Sequence, residues 1–267
     1  MKSPLVTVAP GRKLRLKNIA TSADGGWNRE AAEARTDELR QKLPELQERL
    51  YAEDKRSLLL IFQAMDTGGK DGAVKKLLTG VNPAGVHVTS FKAPTAEELD
   101  HDFLWRVHHK VPARGLVGVW NRSHYEDVLI VRVHELVKKS VWKNRYGQIN
   151  DFEKSLAQNG VTILKFFLHI SKDEQKARLQ ARLDDPAKRW KFNPGDLKER
   201  ERWDDYQDAF EDAINECSTK YSPWHIVPAD KKWVRDLCAV EAVVAALEAM
   251  NPKFPKVDFD PAAVVIE

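Results

Sequence analysis

The chain has 267 residues, of which 42% are hydrophobic and 31% are charged; this excludes a chain that is disordered throughout and suits one globular α/β domain. Its 43 Lys and Arg residues nearly balance 40 Asp and Glu residues. The net charge of only +3 means that an anionic ligand would have to be held by a local basic cluster rather than by overall charge.

The lengths of the apolar runs and the number of cysteines exclude further classes of protein. No stretch approaches the roughly 18 consecutive apolar residues of a membrane helix, and the first residues lack the apolar region of a signal peptide. We therefore expect a cytoplasmic protein with no membrane partner. Two cysteines, Cys217 and Cys238, are too few for a disulfide framework, and we expect both to be buried thiols.

The first 55 residues predict an extension that ends in a leading helix. Leucines at helical spacing form its apolar stripe, and Pro44 falls within that stripe, so we expect a bend or break there. The four leucines are Leu39, Leu43, Leu46 and Leu50. We expect one domain over residues 1–267, with a helix and lid insertion at about 171–220 and an extended tail at 251–267.

Five apolar runs predict the strands of a parallel sheet. Continuous apolar runs that alternate with helical patterns are typical of strands buried on both faces. The runs cover residues 58–63, 86–91, 115–120, 161–170 and 224–229. The spacing of apolar residues predicts helices between and after them, with these stripes: Leu99, Phe103 and Val107; Trp203, Tyr206 and Phe210; Leu237, Val240, Val244 and Leu247.

The segment after the first predicted strand, "AMDTGGKDG" at residues 64–72, predicts a phosphate-binding loop. Gly-Gly-Lys between a strand and a helix start lets backbone N–H groups and a mobile ammonium converge on an anion. Two positions depart from the usual G-x-x-x-x-G-K-[ST] pattern: Ala64 replaces the first glycine, and Asp71 replaces the hydroxyl residue that normally holds Mg²⁺. A turn that contains Gly-Gly-Lys by chance is the alternative.

The candidate residues of this loop divide between two roles. Asp66 is the best-placed carboxylate for Mg²⁺, because the hydroxyl ligand is missing. The phosphate-binding candidates are Thr67, Gly68, Gly69, Lys70, Asp71 and Gly72.

The end of the third predicted strand, in "LVGVWNRSHYED", brings polar residues toward the same edge of the sheet. Asn121 is a weaker oxygen ligand for Mg²⁺ than a carboxylate, and Arg122 has a planar fork that suits phosphate oxygens. Glu126 is a further candidate for the nucleotide site, and Ser123 is expected to cap the next helix. The alternative for Arg122 is a surface pair with Glu126 or Asp127.

Basic residues elsewhere form two groups. Arg178 and Arg182 lie one helical turn apart and precede a basic segment flanked by Pro186 and Pro194, which suits a lid that closes over phosphates. A solvated basic helix face is the alternative. Further cations that would track a polyanion if they lined one groove are Lys75, Lys76, Lys138, Lys139, Lys143 and Arg145.

Three strings in this order, "AMDTGGKDG", "VWNRSHYEDV" and "ARLDDPAKRWKFNPGDLKERERWDDYQDAF", resemble the polyphosphate kinase 2 family over about residues 30–250. The resemblance implies a P-loop kinase with a three-layer α/β/α fold and a helical lid, similar to thymidylate kinases. It also implies transfer of a phosphoryl group between inorganic polyphosphate and a nucleotide with Mg²⁺, or Mn²⁺ as a substitute. The family does not need Ser or Thr after the lysine, so the two departures in the loop become family traits.

Site roles follow from the resemblance residue by residue. Asp66, Lys70, Arg122 and Arg178 are the implied catalytic residues. The candidates for contact with polyphosphate come from the basic clusters described above rather than from the family: Lys75, Lys76, Lys138 and Lys139. Many members carry Asp where this chain has Asn121, and the string that follows resembles the class III subgroup, which uses both AMP and ADP. The expected partners are polyphosphate and adenine nucleotides, not nucleic acid, and the expected assembly is a homo-oligomer, either a dimer or a tetramer.

Three other functions stay open at this point. A phosphohistidine route would use His124, beside Arg122. An ATP-dependent nucleoside monophosphate kinase would share the loop but use another donor. A non-catalytic binder of polyanions would need neither Mg²⁺ nor a lid, and its affinity would fall steeply with salt.

Overall fold

A mostly parallel sheet forms the centre of the computed structural model, which describes residues 1–266. Within those residues it has six strands: β1 Val6–Thr7, β2 Ser57–Ala64, β3 Val86–Ser90, β4 Val117–Asn121, β5 Val161–His169 and β6 Trp224–Pro228. Their order is β1-β6-β5-β2-β4-β3, and only the β1–β6 pair is antiparallel. The five predicted parallel strands are confirmed. The predicted total of five is wrong, because a two-residue edge strand has no apolar run by which to recognise it.

Helices connect these strands. The α-helices are α1 Arg29–Arg40, α2 Leu43–Glu53, α3 Lys70–Leu78, α4 Ala96–Leu99, α5 Trp105–His108, α6 Ile130–Val133, α7 Lys139–Gln158, α8 Lys172–Asp184, α9 Gly195–Glu201, α10 Trp203–Cys217 and α11 Lys232–Met250. Short 3₁₀ helices cover Leu16–Asn18, Pro83–Gly85, His124–Val128, Arg189–Lys191 and Pro261–Ala263. None of the helices in residues 1–266 is long and apolar enough to span a membrane.

The sheet is covered on both faces, which confirms the three-layer architecture. Alternate residues of the central strand β2 belong to different apolar clusters: Leu60 faces α2, α3 and α11, whereas Leu59 and Ile61 face α5 and α7. All eight residues of β2 are buried, as expected for a strand between two helical layers. Both cysteines are buried free thiols, as predicted.

Three of the predicted helical regions are confirmed and one is wrong. The stripes of α10 and α11 are buried, and the leading helix is broken into α1 and α2, with Pro44 in the first turn of α2. The single helix predicted through Leu99 and Val107 is wrong. There the chain forms the short helices α4 and α5, because Asp102 accepts a hydrogen bond from the Leu104 N–H and starts a new turn, which leaves Leu99 exposed.

A buried charged cluster lies between β5 and α7. The ammonium of Lys165 donates hydrogen bonds to Glu153 at 2.6 Å, to the Tyr125 hydroxyl at 2.8 Å and to the Cys217 carbonyl at 2.7 Å. Both charged side chains are essentially inaccessible to solvent. Three acceptors satisfy the three ammonium protons, so this charge is paired as a buried charge must be.

Strand order determines where the site lies. β2 and β4 are neighbours, with Phe62 in register with Asn121. The loop after β2 and the loop after β4 therefore leave the same edge of the sheet side by side. Ligands of open α/β sheets bind at this edge, outside the carboxyl ends of the strands.

Candidate active site

The loop after β2 has the geometry of an anion-binding loop. Lys70 is the first residue of α3, so backbone N–H groups without intrahelical partners lie at the loop's end. Gly69 has φ of 96°, and a Cβ atom there would lie 2.3 Å from Nη1 of Arg235, so only glycine fits. The alternative of an unspecialised turn does not account for this close packing.

The side chain of Lys70, where the loop meets α3, is positioned by a hydrogen bond to the start of the loop. Its ammonium donates a hydrogen bond to the Ala64 carbonyl at 3.0 Å. Burial and the nearby Arg122 guanidinium lower the pKa of Lys70. Because both effects disfavour the ammonium when no anion is bound, a phosphate group that enters beside it would relieve the imbalance.

Arg122 joins the two neighbouring loops. Its Nη2 donates to Asp66 Oδ1 at 2.8 Å, and Nη1 lies 3.8 Å from Glu126 Oε2. Burial opposes the charge on the guanidinium, but the carboxylates of Glu126 and Asp66 raise the pKa of Arg122. Arg122 therefore makes the pair with Glu126 that the alternative expected, but its shorter contact is with Asp66 in the loop. At the end of β4, the Asn121 amide donates to Asp71 Oδ1 at 2.5 Å.

A cavity of about 750 Å³ opens above the loop. Nine basic and three acidic side chains line it: Lys70, Lys92, Arg122, Arg178, Arg182, Lys188, Lys191, Lys232 and Arg235, with Asp66, Asp71 and Asp196. The loop residues Thr67, Gly68, Gly69 and Gly72 and also Asn121 complete the part of the wall that the sequence predicted. Such an excess of cations in a concave site attracts polyanions.

The two arginines predicted for the lid both line this cavity. Arg178 donates to the Thr67 carbonyl at 3.1 Å, to the carbonyls of Ala229 and Asp230, and to Glu174 at 2.7 Å. Its side chain is only 9% exposed, so the alternative of a solvated face is wrong for Arg178. Arg182 donates to the Lys191 carbonyl at 3.1 Å and lies 3.4 Å from Asp196. Whether residues 171–220 move as a lid stays a prediction.

The four lysines assigned to polyphosphate are not brought together at this cavity. Lys75 and Lys76 lie in α3 outside its wall, and Lys76 pairs with Asp37 at 2.8 Å. Lys138 and Lys139 begin α7, also outside the wall. Their contact with the polymer stays a prediction.

Sequence reasoning missed five cations of the wall: Lys92, Lys188, Lys191, Lys232 and Arg235. A usable signal existed for some of them. Lys92 follows β3 and Lys232 follows β6, so both come after the carboxyl end of a parallel strand, where ligands bind. Lys188 and Lys191 belong to the basic segment that the sequence assigned to the lid.

A second, smaller cavity of about 230 Å³ adjoins the first and shares Asp66, Arg122 and Asp196 with it. Its remaining walls are Ala64, Met65, Glu126, Leu129, Ile130, Asn193, Gly195, Glu199, Tyr206 and Phe210. Four carboxylates and several apolar side chains surround one guanidinium here. This cavity would repel a phosphate chain, unlike the first.

The oxygen atoms of Asp66 and Asn121 suit a metal ion that takes its other ligands from a substrate and from water. Asp66 lies between the two cavities with a partly exposed carboxylate, and the Asn121 nitrogen is used by Asp71, which leaves the amide oxygen as its ligand atom. Across residues 1–266 there is no group of three or more His, Cys, Asp or Glu side chains that could hold a metal alone. Mg²⁺ typically takes one or two carboxylates, substrate phosphate oxygens and water, so these residues fit it.

His124 does not lie at this site, which argues against a phosphohistidine route. Its side chain is 1% exposed, packs against Trp120, Tyr125 and Phe152, and its Nε2 lies 3.2 Å from Glu153 Oε1. Burial lowers the pKa of His124. A phosphate in the cavity cannot reach either ring nitrogen of a side chain packed this way.

Comparison with known proteins agrees with this geometry. Residues 26–255 match the family described as Polyphosphate kinase 2 (PPK2). An AMP/ADP-polyphosphate phosphotransferase of Meiothermus ruber is 50% identical over 263 residues, which cover 97% of this chain and 98% of that protein. An ADP-polyphosphate phosphotransferase of Rhodopseudomonas palustris is 44% identical over 271 residues, which cover 96% and 93%.

A solved structure shares the whole fold. The crystal structure of polyphosphate kinase 2 from Arthrobacter aurescens TC1 superimposes with a TM-score of 0.93 at 47% identity, covering 98% of this chain and 95% of that one. The resemblance drawn from three sequence strings is thereby confirmed. The chain belongs to the polyphosphate kinase 2 family and is an enzyme of that type.

Proposed function

We propose that this enzyme is a polyphosphate:nucleotide phosphotransferase that transfers a phosphoryl group reversibly between inorganic polyphosphate and AMP or ADP. The observation that carries the proposal is the meeting of two unlike cavities at Asp66 and Arg122. Relatives that align over nearly their full length are named for this reaction with AMP and ADP or with ADP. Use of both AMP and ADP is the behaviour of the class III subgroup that the sequence resembles.

The cationic cavity takes the phosphate chain, because its nine basic side chains outnumber three carboxylates. The small cavity takes the uncharged part of the nucleotide, because its apolar walls tolerate a base or sugar and its carboxylates disfavour phosphate. The nucleotide's terminal phosphate then reaches the junction beside Arg122 and Glu126. This arrangement brings donor and acceptor together where the two cavities meet.

The transfer is in line: the acceptor phosphate oxygen of the nucleotide attacks the terminal phosphorus of the polymer, and the bond to the next bridging oxygen of the chain breaks. Backbone N–H groups of the loop and the side chains of Lys70, Arg122 and Arg178 neutralise the charge that spreads over the transferred group. The chain's contribution is therefore positioning and charge stabilisation rather than covalent chemistry.

A kinase of this family requires a divalent metal ion, and we propose Mg²⁺, with Mn²⁺ as a substitute. Asp66 would be its main protein ligand and Asn121 a weaker one. Held there, the ion would supply positive charge that offsets the negative charge of the phosphate groups. We further propose a homo-oligomer, a dimer or tetramer.

The phosphoryl donor that the enzyme uses, polyphosphate or ATP, distinguishes this function from its alternatives. Purified protein incubated with Mg²⁺, long-chain polyphosphate and AMP or ADP, without ATP, should form ADP and ATP, measured by chromatography. Chelation of the metal should abolish the products. Activity with ATP and AMP but not with polyphosphate would identify a nucleoside monophosphate kinase instead. Retention of polyphosphate without turnover, unaffected by chelation and lost steeply as salt rises, would identify a binding protein.

A further inference from the structure

The carbonyl groups of the phosphate loop are held from outside by side chains of two helices. Gln175 Nε2 donates to the Asp66 carbonyl at 2.9 Å, Arg178 Nη1 to the Thr67 carbonyl at 3.1 Å and Arg235 Nη1 to the Gly69 carbonyl at 3.1 Å. Gln175 and Arg178 belong to α8, and Arg235 belongs to α11. Three of the four carbonyls from Asp66 to Gly69 are therefore fixed by donors that come from elements distant in sequence.

These donors are themselves rigidly placed. Gln175 is 1% exposed, and its Oε1 accepts a hydrogen bond from Arg200 at 2.9 Å. Arg235 is 4% exposed, and its Nε and Nη2 both donate to Asp236 Oδ1, at 2.8 and 2.6 Å. Each side chain has one face committed to a fixed partner and one donor directed at the loop. Buried polar groups that are satisfied in this way specify one geometry.

The loop needs such support because its backbone is strained. Thr67, a β-branched residue, has φ of 60°, in the left-handed region that is unfavourable for any residue other than glycine. Such a conformation persists only when its surroundings over-determine it. A carbonyl that turned inward would also place negative charge where phosphate must bind.

We propose that Gln175 and Arg235 are positioning residues for the reaction: together with Arg178 they hold the loop carbonyls away from the cavity, so that the loop N–H groups face the phosphate. This inference rests on the proposed function and adds residues that no sequence motif indicated. It also explains the glycine at position 72. A Cβ atom there would lie 3.2 Å from both Nη atoms of Arg235, although Gly72 has no unusual φ.

Two conservative variants test the proposal. Gln175→Glu keeps the shape of the side chain and the acceptor for Arg200, but it loses the donor to Asp66. Arg235→Lys keeps the charge opposite Asp236, but it loses the fork that reaches Gly69. Each variant should lower kcat by about 10- to 10²-fold, the cost of a misplaced reacting group, while the KM for the nucleotide changes little. The control is Gln180→Glu, the same change at an exposed position of α8 that bonds only Asp184.

Binding of tripolyphosphate gives a readout that does not depend on turnover. It should raise the Tm of the wild-type protein and of Gln180→Glu, and it should raise the Tm of Gln175→Glu and Arg235→Lys clearly less. If both variants melt near the wild-type Tm, turn over at the wild-type rate and respond fully to tripolyphosphate, the positioning role is overturned. If wild-type protein makes no product from polyphosphate, the proposed function fails, while the Tm comparison still decides the role of the two residues.

A double-variant cycle tests Arg235 separately and covers the case in which Gln175→Glu unfolds. Gly72→Ala should lower kcat several-fold in the wild-type protein, because its methyl group displaces the Arg235 guanidinium. The same substitution should add little in Arg235→Lys, where that guanidinium is gone. Equal effects of Gly72→Ala in both backgrounds would contradict a role of Arg235 in shaping the loop.

Discussion

Replacing Lys70 by Met should lower kcat for nucleotide phosphorylation by at least about 10²-fold, the typical cost of losing one preorganised charge at a reacting group. The methionine fills nearly the same volume without the ammonium that stabilises the transferred phosphoryl. Its stem still fits between the loop and Ala64, whose carbonyl loses one partner. The measurement is steady-state kinetics with polyphosphate and ADP at saturating Mg²⁺.

The matched control for this variant is Lys154→Met, the same change at an exposed position of α7. It should leave kcat within about twofold of wild type, since surface substitutions away from special features have small effects. Loss of activity in Lys70→Met with an unchanged Tm would locate the effect in the chemistry. Equal rates for Lys70→Met and the wild-type protein would remove the lysine from the mechanism.

Replacing Lys165 by Met should destabilise the fold by about 3–5 kcal/mol, because it leaves the Glu153 carboxylate buried without its partner. The Tyr125 hydroxyl and the Cys217 carbonyl lose the same donor. The measurement is denaturant unfolding at equilibrium. For comparison, Lys13→Met removes the exposed pair with Glu216 and should cost less than about 1 kcal/mol.

The pH dependence of the Lys165→Met effect has a definite sign. Burial alone would raise the pKa of Glu153, but Lys165 and His124 lower it below its ordinary value of 4.5. In the wild-type protein this carboxylate therefore contributes stability that is present above pH 4.5 and is lost as pH falls through the lowered pKa. Without Lys165 burial dominates, so the variant loses stability as pH rises. The difference between the two proteins should be larger at neutral than at acidic pH, and a constant difference would contradict the role of this pair.

The parts of the site that could be predicted from sequence are those carried by one continuous stretch. Asp66, Gly69 and Lys70 were predictable because strand, loop and helix follow one another within residues 58–79, and local geometry then determines what the loop can bind. Asn121 and Arg122 were predictable because they end an apolar run. In each of these cases the residue type and its place after a strand indicated that the residue lies at the wall of the cavity.

The sequence did not indicate a role for residues that contact the loop from elements distant in the chain. Gln175 reads as an ordinary polar residue of a charged helix, and Arg235 lies next to Asp236 in the first turns of α11, where a solvent-exposed pair is the usual arrangement. Their role depends on α8 and α11 lying beside the loop, which is a consequence of strand order. Periodicity within a helix cannot reveal strand order. The edge strand β1 was missed for a related reason, because its pairing with β6 is entirely nonlocal.

Lys165 is an intermediate case. A lysine inside the apolar run of residues 161–170 must have a partner if the strand is buried, so the sequence did contain evidence of a buried ion pair. It did not identify Glu153 as that partner, since the pair depends on how α7 packs on β5.

Turnover by an Asp66→Ala, Lys70→Ala double variant that keeps its Tm tests most directly whether phosphoryl transfer takes place at the loop between Ala64 and Gly72. With Mg²⁺, polyphosphate and ADP, this variant should form at least about 10²-fold less ATP per unit time than wild-type protein. Near-normal ATP formation by the folded double variant would contradict transfer at this loop.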